Sequence, residues 1–289
     1  MNTYLDSRII SLNSSDAILL NSTYKSWVKF QFSGLLKQED DILKIELSLV
    51  NAQIPISWYI INYSNNMFKI KLGNNTEQII TIPVGNYNAN SLITNLKLLI
   101  NDSNFIITIS KITGKITFTY NNSFIIYTNI DNSIGIILGF ELNNVYNSTN
   151  SLTCPYPLNL LGYKRLEIYT QDIQTMNYSS SNNSMSTLLS IIPIDQSPWG
   201  LITFNNYTDT KNIIKNKTID KIEIIIRAED KTLINFNNID WTLKLKIDIT
   251  RKYNISDKSN ENNIKNLKSN DVIQNDDIIK NDLDLLTYK

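Results

Sequence analysis

ILKIELSLVNAQIPISWYIINYSNN, residues 42 to 66, decides the fold. Its opening alternates, with Leu43, Ile45, Leu47 and Leu49 on one face and Lys44, Glu46 and Ser48 on the other. A period of two over this length is the pattern of a half-buried strand. Pro55 then stops the strand, because proline has no ladder donor and forces its predecessor out of helical geometry. The residues beyond it are not those of a turn. Turns draw on Asn, Gly and Pro, whereas Trp58 and Tyr59 are aromatics that each bury on the order of 150–250 Å². Their position predicts a chain leaving one core for another, with Pro55, Trp58 and Tyr59 at the junction and the two rings fixing one body to the other. The competing reading keeps both rings inside the second core.

Segments of the same texture flank this stretch on both sides. They are DAILL (16–20), SWVKFQF (26–32), KRLEIYTQ (164–171), TLLSIIPI (187–194), LITF (201–204), DKIEIIIRA (220–228) and WTLKLKIDI (241–249). The run at 187–194 is almost continuously apolar, which suits a strand covered on both sides. In 220–228, Ile222, Ile224 and Ile226 share a face, and in 241–249 Trp241, Leu243, Leu245, Ile247 and Ile249 do the same. With residues 42–50 these make about eight strands, and eight antiparallel strands in two sheets form a jelly-roll sandwich.

The block from 55 to 140 differs. GNNT (73–76) joins two short strands as a hairpin, and KITG (111–114) joins two more, Gly114 being free to turn left-handed. Leu92, Ile93, Leu96 and Leu99 recur at three- and four-residue steps, which predicts a helix over 89–101 capped by Asn88 or Asn90. SFIIYT (123–128) reads as a strand and SIGIILGF (133–140) as a short helical turn ending at Gly139. The expected layout is mainly β: first jelly-roll strands within 1–54, an inserted small α+β subdomain over 55–140, and the remaining jelly-roll strands over 141–250. Residues 141–160 serve there as a long connection. Residues 251–289 are polar and charge-balanced with no sustained pattern, which reads as a disordered or partner-docked tail. Within it, Ile279, Leu283 and Leu286 stand at helix-like steps and are candidate docking residues.

Composition narrows the function. The 289 residues are 42% hydrophobic, enough for one or two packed cores, and the formal net charge is zero. A nucleic-acid-coating chain would carry a basic excess. Asn and Ile each exceed one residue in eight, which an AT-rich coding sequence accounts for, so single Asn residues and Asn-X-Ser/Thr triplets carry little information. No basic n-region with an apolar core opens the chain and no apolar run reaches membrane-spanning length, so no signal peptide and no membrane span are expected. One cysteine, Cys154, allows no intrachain disulfide, and together these features point to a soluble protein of a reducing compartment.

No histidine is present, which removes His triads, imidazole bases and His metal ligands together. Gly114-Lys115 is not a phosphate loop, because Ile109 stands where the first loop glycine belongs. Glu39-Asp40-Asp41 and Glu229-Asp230 read as solvated turns, Asp220 and Glu223 as polar strand positions, and Cys154 as a passive thiol. No catalytic, cofactor or metal set is predicted, and no enzyme.

The ordered segments LSLVNAQIPISWYIIN, ITIPVGNYNANSLITNLKLLIN, ITISKITGKITFTY, SIGIILGF, PLNLLGYKRLEIYTQDIQT and IDKIEIIIRAED, over roughly residues 40 to 250, resemble a known family. It is that of the single-jelly-roll penton and minor capsid proteins of virophages, polinton-like viruses and large DNA viruses. The resemblance rests on packing and turn residues, so it speaks for a scaffold. It implies a structural virion protein, located in the capsid and made in host cytoplasm or nucleus. Its partners would be copies of itself, as a pentamer at the icosahedral vertices, the major capsid protein and other capsid proteins. The alternative within the family is a minor capsid protein cementing neighbouring capsomers. A further alternative is a β-sandwich module that binds a glycan or receptor through exposed loop aromatics. Tyr63, Tyr87, Tyr146, Tyr178 and Tyr207, each in an Asn-rich stretch, are the candidates for that role.

Overall fold

The computed structural model describes residues 3–21, 24–36, 39–171, 187–208, 210–214 and 218–252. In chain order its strands are β1 (Thr3–Asn13), β2 (Ile18–Leu19), β3 (Trp27–Leu36), β4 (Ile42–Pro55), β5 (Met67–Leu72), β6 (Gln78–Thr81), β7 (Ile106–Ile109), β8 (Ile116–Thr119), β9 (Phe124–Tyr127), β10 (Val145–Ser148), β11 (Ser151–Thr153), β12 (Arg165–Tyr169), β13 (Leu188–Pro193), β14 (Leu201–Asn205), β15 (Asn212–Ile214), β16 (Ile219–Ala228) and β17 (Thr242–Lys252). Among the described residues two α-helices, α1 (Ala89–Ile100) and α2 (Gly135–Leu138), lie between β6 and β7 and between β9 and β10, and a 3-10 turn spans Ser14–Asp16.

Four nested antiparallel pairs define the architecture: β1 with β17, β3 with β16, β4 with β14, and β12 with β13. They are the rungs of one long ribbon. The ribbon is wrapped so that β17 also pairs with β4 and β16 with β12. One sheet therefore runs β1-β17-β4-β14, with β15 further along β4, and the other runs β13-β12-β16-β3-β2. That order is a jelly roll. Its inner faces bury Leu47, Leu49, Leu166, Ile168, Ile224, Ile226, Leu245 and Ile247, all at 1% exposure or less.

The alternation along β4 changes phase twice. Register shifts opposite Lys244/Leu245 and Thr250/Arg251 leave Val50 and Leu43 as the extra residues of two bulges. Each bulge flips the faces. Ile42 is therefore buried and Leu43 is 43% exposed, against the sequence expectation, and Ala52 and Ile54 turn inward beyond Val50. The first strand also differs from expectation. It is β1, while residues 16–20 supply only the two-residue β2 at the edge of the other sheet. β1 escapes a period-two reading because its inward positions near Thr3 are polar: Asp6 and Arg8 precede buried Ile10 and Leu12.

Arg251 explains the first of those polar positions, Asp6, which also pairs with Arg8. The buried Arg251 guanidinium binds Glu39, Asp41 at 3.0 Å and Asp6 at 3.5 Å, closing the end of the sandwich remote from Pro55. Glu39-Asp40-Asp41 is a turn with Glu39 and Asp40 exposed, and it has a further role that the sequence did not show, since the Glu39 and Asp41 carboxylates clamp a buried cation.

Buried side chains gather in two clusters, one between the jelly-roll sheets and one within residues 61–154. The second lies between the sheets β10-β9-β5-β6 and β11-β8-β7, with α1 against β7. Phe118 is fully buried there and meets Phe68, Phe105 and Phe140 with ring centroids 5.8–6.1 Å apart. The expected connection over 141–160 instead contributes β10 and β11, which pair with β9 and β8. Their alternating side chains are exposed or half-buried, so no apolar pattern marks them. Helix α1 starts at Asn88, whose carboxamide accepts from Ser91 N–H while the Ser91 hydroxyl accepts from Asn88 N–H, a capping box. Gly139 ends α2 at φ +93°, and a Cβ there would lie 2.1 Å from the Tyr156 carbonyl. Residues 61–160 are termed the insertion.

Candidate functional site

The junction begins where β4 ends. Ile56 exchanges backbone hydrogen bonds with Gly200 and Trp199, both 2.9 Å, and the Ser57 hydroxyl donates to the Phe236 carbonyl at 2.7 Å. Asn237 Nδ2 donates to the Ser57 carbonyl. The exit strand is therefore tied to the jelly roll on two sides. Trp58, 5% exposed, belongs to the jelly-roll core and meets Phe236 edge-on at 6.1 Å. Tyr59 meets Trp199 edge-on at 5.8 Å. Asn86, from the insertion, reaches back: its Nδ2 donates to the Trp58 carbonyl and its Oδ1 accepts from Ile60 N–H. Ile61 then enters the second core. Pro55 pairs with Leu201 at the last position of the strand.

A cleft of about 190 Å³ opens here, lined by Trp58, Tyr59, Asn62, Asn65, Tyr163 and Asp230 among others. That is below the roughly 300–1,000 Å³ of small-molecule sites. Its amides are also engaged: Asn65 accepts from Asn62 N–H and donates to the Ile60 carbonyl. The cleft is a packing seam.

The candidate aromatics separate. Tyr63, 80% exposed, is in the insertion, and Tyr207, 89% exposed, follows β14. Tyr87 and Tyr146 are not exposed loop residues. Tyr87 is half-buried against the second core and donates its hydroxyl to the Pro83 carbonyl at 2.8 Å. Tyr146 lies on β10 with its ring 4.7 Å from Phe140, and its hydroxyl accepts from Glu141 N–H. Both are held because a short loop hydroxyl finds a local backbone partner while its ring covers apolar surface. Tyr178, Ile279, Leu283 and Leu286 lie outside the described residues.

A further constellation was missed from sequence. The outward face of β13-β12-β16-β3-β2 is defined by register. Its rows are Ile191–Glu167–Arg227, then Tyr169–Ile225–Trp27, then Glu223–Lys29–Ile18, then Lys221–Gln31. Glu167 is 2% exposed although it points away from the core. Burial works against its ionisation. Lys231, Tyr169 and Arg165 donate to it and outweigh that, so its carboxyl sits below the usual carboxylate range. Glu223 accepts from Trp27 Nε1 at 2.6 Å. Arg227 lies 5.8 Å over the Tyr169 ring, and its buried Nε–H has no acceptor among the described residues. One signal was legible: Ile225 breaks the alternation of KIEIIIRA, and it is 3% exposed on the outward face.

Asp248 is the counterpart on the other sheet. Burial opposes its ionisation, but Lys211, Ser7 and Lys246 donate to it and hold its carboxyl down at about 2. Cys154 is buried in the insertion, and burial pushes its thiol up to about 12. Among the described residues no group of three or more Cys, Asp or Glu could hold a metal ion, and no helix is long and apolar enough to cross a membrane.

No protein-family model matches the chain, and no curated protein does. Among solved structures it is similar to the mavirus penton protein, with 13% identity and a TM-score of 0.47 over 84% of this chain and 100% of that one. It is similar to a chain of the Sputnik virophage structure determined by cryo-electron microscopy, with 12% identity and a TM-score of 0.39 over 84% and 97%. VP17, a capsid protein of bacteriophage P23-77, is similar at 7% identity and a TM-score of 0.20 over 87% and 100%. The jelly-roll assignment stands on this chain's own strand pairing.

Proposed function

We propose that this chain is a structural protein of a viral capsid, most specifically the penton, assembling as pentamers at icosahedral vertices. The observation that carries the reading is the polarity of the jelly roll. β4 leaves for the insertion at Pro55, close to where β17 begins, since Thr242 pairs with Gln53. Thr3, Asp41 and Lys252 meet at the opposite end. A shell subunit needs such distinct ends, one for a projection and one for the shell interior. On this reading residues 61–160 project outward, and the major capsid protein and other capsid proteins surround the jelly roll. The ordered resemblance over residues 40–250 supports the same assignment.

The test is a reconstruction of particles containing the chain, paired with its mass in solution. Density for five copies at each vertex is the expected result. A chain strictly monomeric at high concentration and missing from the vertices would overturn the penton reading. Density between capsomers on the inner surface would instead assign the cementing role of a minor capsid protein. The exposure of Tyr63 on the insertion favours receptor attachment as a second activity of the same projection. Specific glycan-array binding that is lost in Tyr63→Ala would support it.

A further inference from the structure

The outward face of the β13-β12-β16-β3-β2 sheet has the make-up of a docking surface. Trp27 and Tyr169 flank Ile225 in one row, and Arg227 stands beside them in the next. Trp, Tyr and Arg are the residues that dominate binding hot spots. Ile191 and Ile18, 44% and 47% exposed, add apolar area at the two edges. The charge balance is positive. Arg227, Lys29 and Lys221 lie in the rows, and Arg165 and Lys231 reach Glu167 from beside them. Against these stand Glu167 and Glu223, each already accepting from donors of this face, and Asp220 at the register shift of β16. The Arg227 Nε–H, buried with no acceptor among the described residues, is the independent mark of something missing. A buried donor without an acceptor costs on the order of 1–3 kcal/mol, and a carboxylate is the acceptor that guanidinium geometry suits best.

The chain carries a segment of matching chemistry. Residues 271–286, DVIQNDDIIKNDLDLL, hold five aspartates against one lysine, interleaved with Val272, Ile273, Ile278, Ile279, Leu283, Leu285 and Leu286. Acidic side chains spaced by branched apolar ones fit a basic face dotted with Trp27, Tyr169, Ile191 and Ile18. Reach is sufficient. Residues 253–270 begin at Lys252, beside Thr3. Eighteen residues extend to about 60 Å, whereas the ten residues of β16 span only about 33 Å. A tether of this length also gives an effective concentration near the millimolar range, so weak contacts suffice within one chain. We propose that the outward face of the β13-β12-β16-β3-β2 sheet is the docking site of residues 271–286 of the same chain, with an aspartate meeting Arg227.

The proposal is independent of the capsid reading, and its test uses the full chain in dilute solution. Carbodiimide joins carboxylates to lysine amines at contact distance, and peptide mapping then locates the joins. The expected links run from Asp271, Asp276, Asp277, Asp282 or Asp284 to Lys29, Lys221 or Lys231. They should be lost in about 1 M salt, where the screening length is about 3 Å. They should also be lost in Arg227→Glu, and in the double variant Ile279→Ser with Leu283→Ser, which leaves the described fold untouched. An equal mixture of isotopically heavy and light chains should give links within one isotope only. Mixed links would overturn the proposal in favour of exchange between copies. Absence of these links, or links to lysines of the opposite sheet such as Lys244, would overturn the face.

Discussion

The jelly roll and the insertion are both small-sheet β structures, yet they are held together by different means. Jelly-roll pairing is between distant parts of the chain: β1 lies along β17, with Thr3 opposite Lys252. Insertion pairing is largely local, with Met67 opposite Thr81 and Ile109 opposite Ile116. The buried charges follow the same division. Glu167, Asp248 and Arg251 are buried in the jelly roll, whereas Asn66 and Thr128 are the buried polar residues described in the insertion. Long-range pairing must overcome a large loop-closure entropy before contacts return anything. Ionic clusters such as Asp6–Arg251–Asp41 specify which distant strands meet. A hairpin of a few residues has no such problem and is built from turn chemistry and aromatic packing. The difference implies two separable cooperative units joined at Trp58.

That implication can be broken most sharply inside the insertion. Phe118→Ala removes a fully buried ring that touches three others, and a deletion of this kind costs about 3–5 kcal/mol. Two transitions are expected in scanning calorimetry, with only the insertion's displaced. Equal displacement of both would mean a single unit. Trp58→Ala addresses the other side of the junction. Because Trp58 packs on Phe236 in the jelly-roll core, a loss of about 3 kcal/mol should fall on the jelly-roll transition, read by exchange protection of β17 amides. Loss confined to the insertion would place the ring's contribution with the second core instead.

Legibility in the sequence divides along the same line. Local signals were sufficient for the insertion. Asn88 and the spacing of Leu92, Ile93 and Leu96 placed α1 to within a residue of its observed Ala89–Ile100 span, and Gly114 and Gly139 marked turns that need positive φ. In the jelly roll, strands with unbroken alternation, such as β17, were legible. β1 was not, since Asp6 and Arg8 face inward toward partners elsewhere in the chain, Arg251 and the Leu35 carbonyl. Nor were the bulges at Leu43 and Val50, which exist only in relation to β17. The cluster around Arg227 and Glu167 is of the same kind, because its members come from β12, β16 and the segment after it. Tyr87 and Tyr146 failed for the opposite reason: an Asn-rich neighbourhood suggested exposure, and a local backbone partner together with packing on the second core held each ring in place.

Acid should act on the jelly roll first. The Asp248 carboxyl is held at about 2, below its ordinary 3.8, because the Lys211, Ser7 and Lys246 donors outweigh the cost of burial. A depressed carboxylate contributes stability that is fully present above about pH 3.8 and is lost as pH falls through about 2. Glu167 is lowered in the same direction. Lowering the pH from 5 to about 2 is therefore expected to bring down the jelly-roll transition by more than the insertion's. The interval between the two transitions as a function of pH is the quantity to measure, and an interval that does not change would remove buried charge from the contrast.

The smallest effect expected is the most local. Asn88 caps α1 through the Ser91 N–H, and replacing such a cap with alanine costs about 1 kcal/mol. In Asn88→Ala the Ser91 hydroxyl can still accept from the residue 88 N–H, so only one of the two capping bonds is removed. The loss should be confined to the insertion, because α1 packs on β7 and its buried residues Leu92, Ile93, Leu96 and Ile100 all belong to the second core. Amide exchange resolves this better than calorimetry. Faster exchange in the first turn of α1 and across the insertion, with β4 and β17 unchanged, is the outcome expected of two units. If β17 also exchanged faster, a one-bond change more than a hundred residues away would have reached it. Trp58 and Asn86 would then be a rigid coupling between the cores rather than a seam.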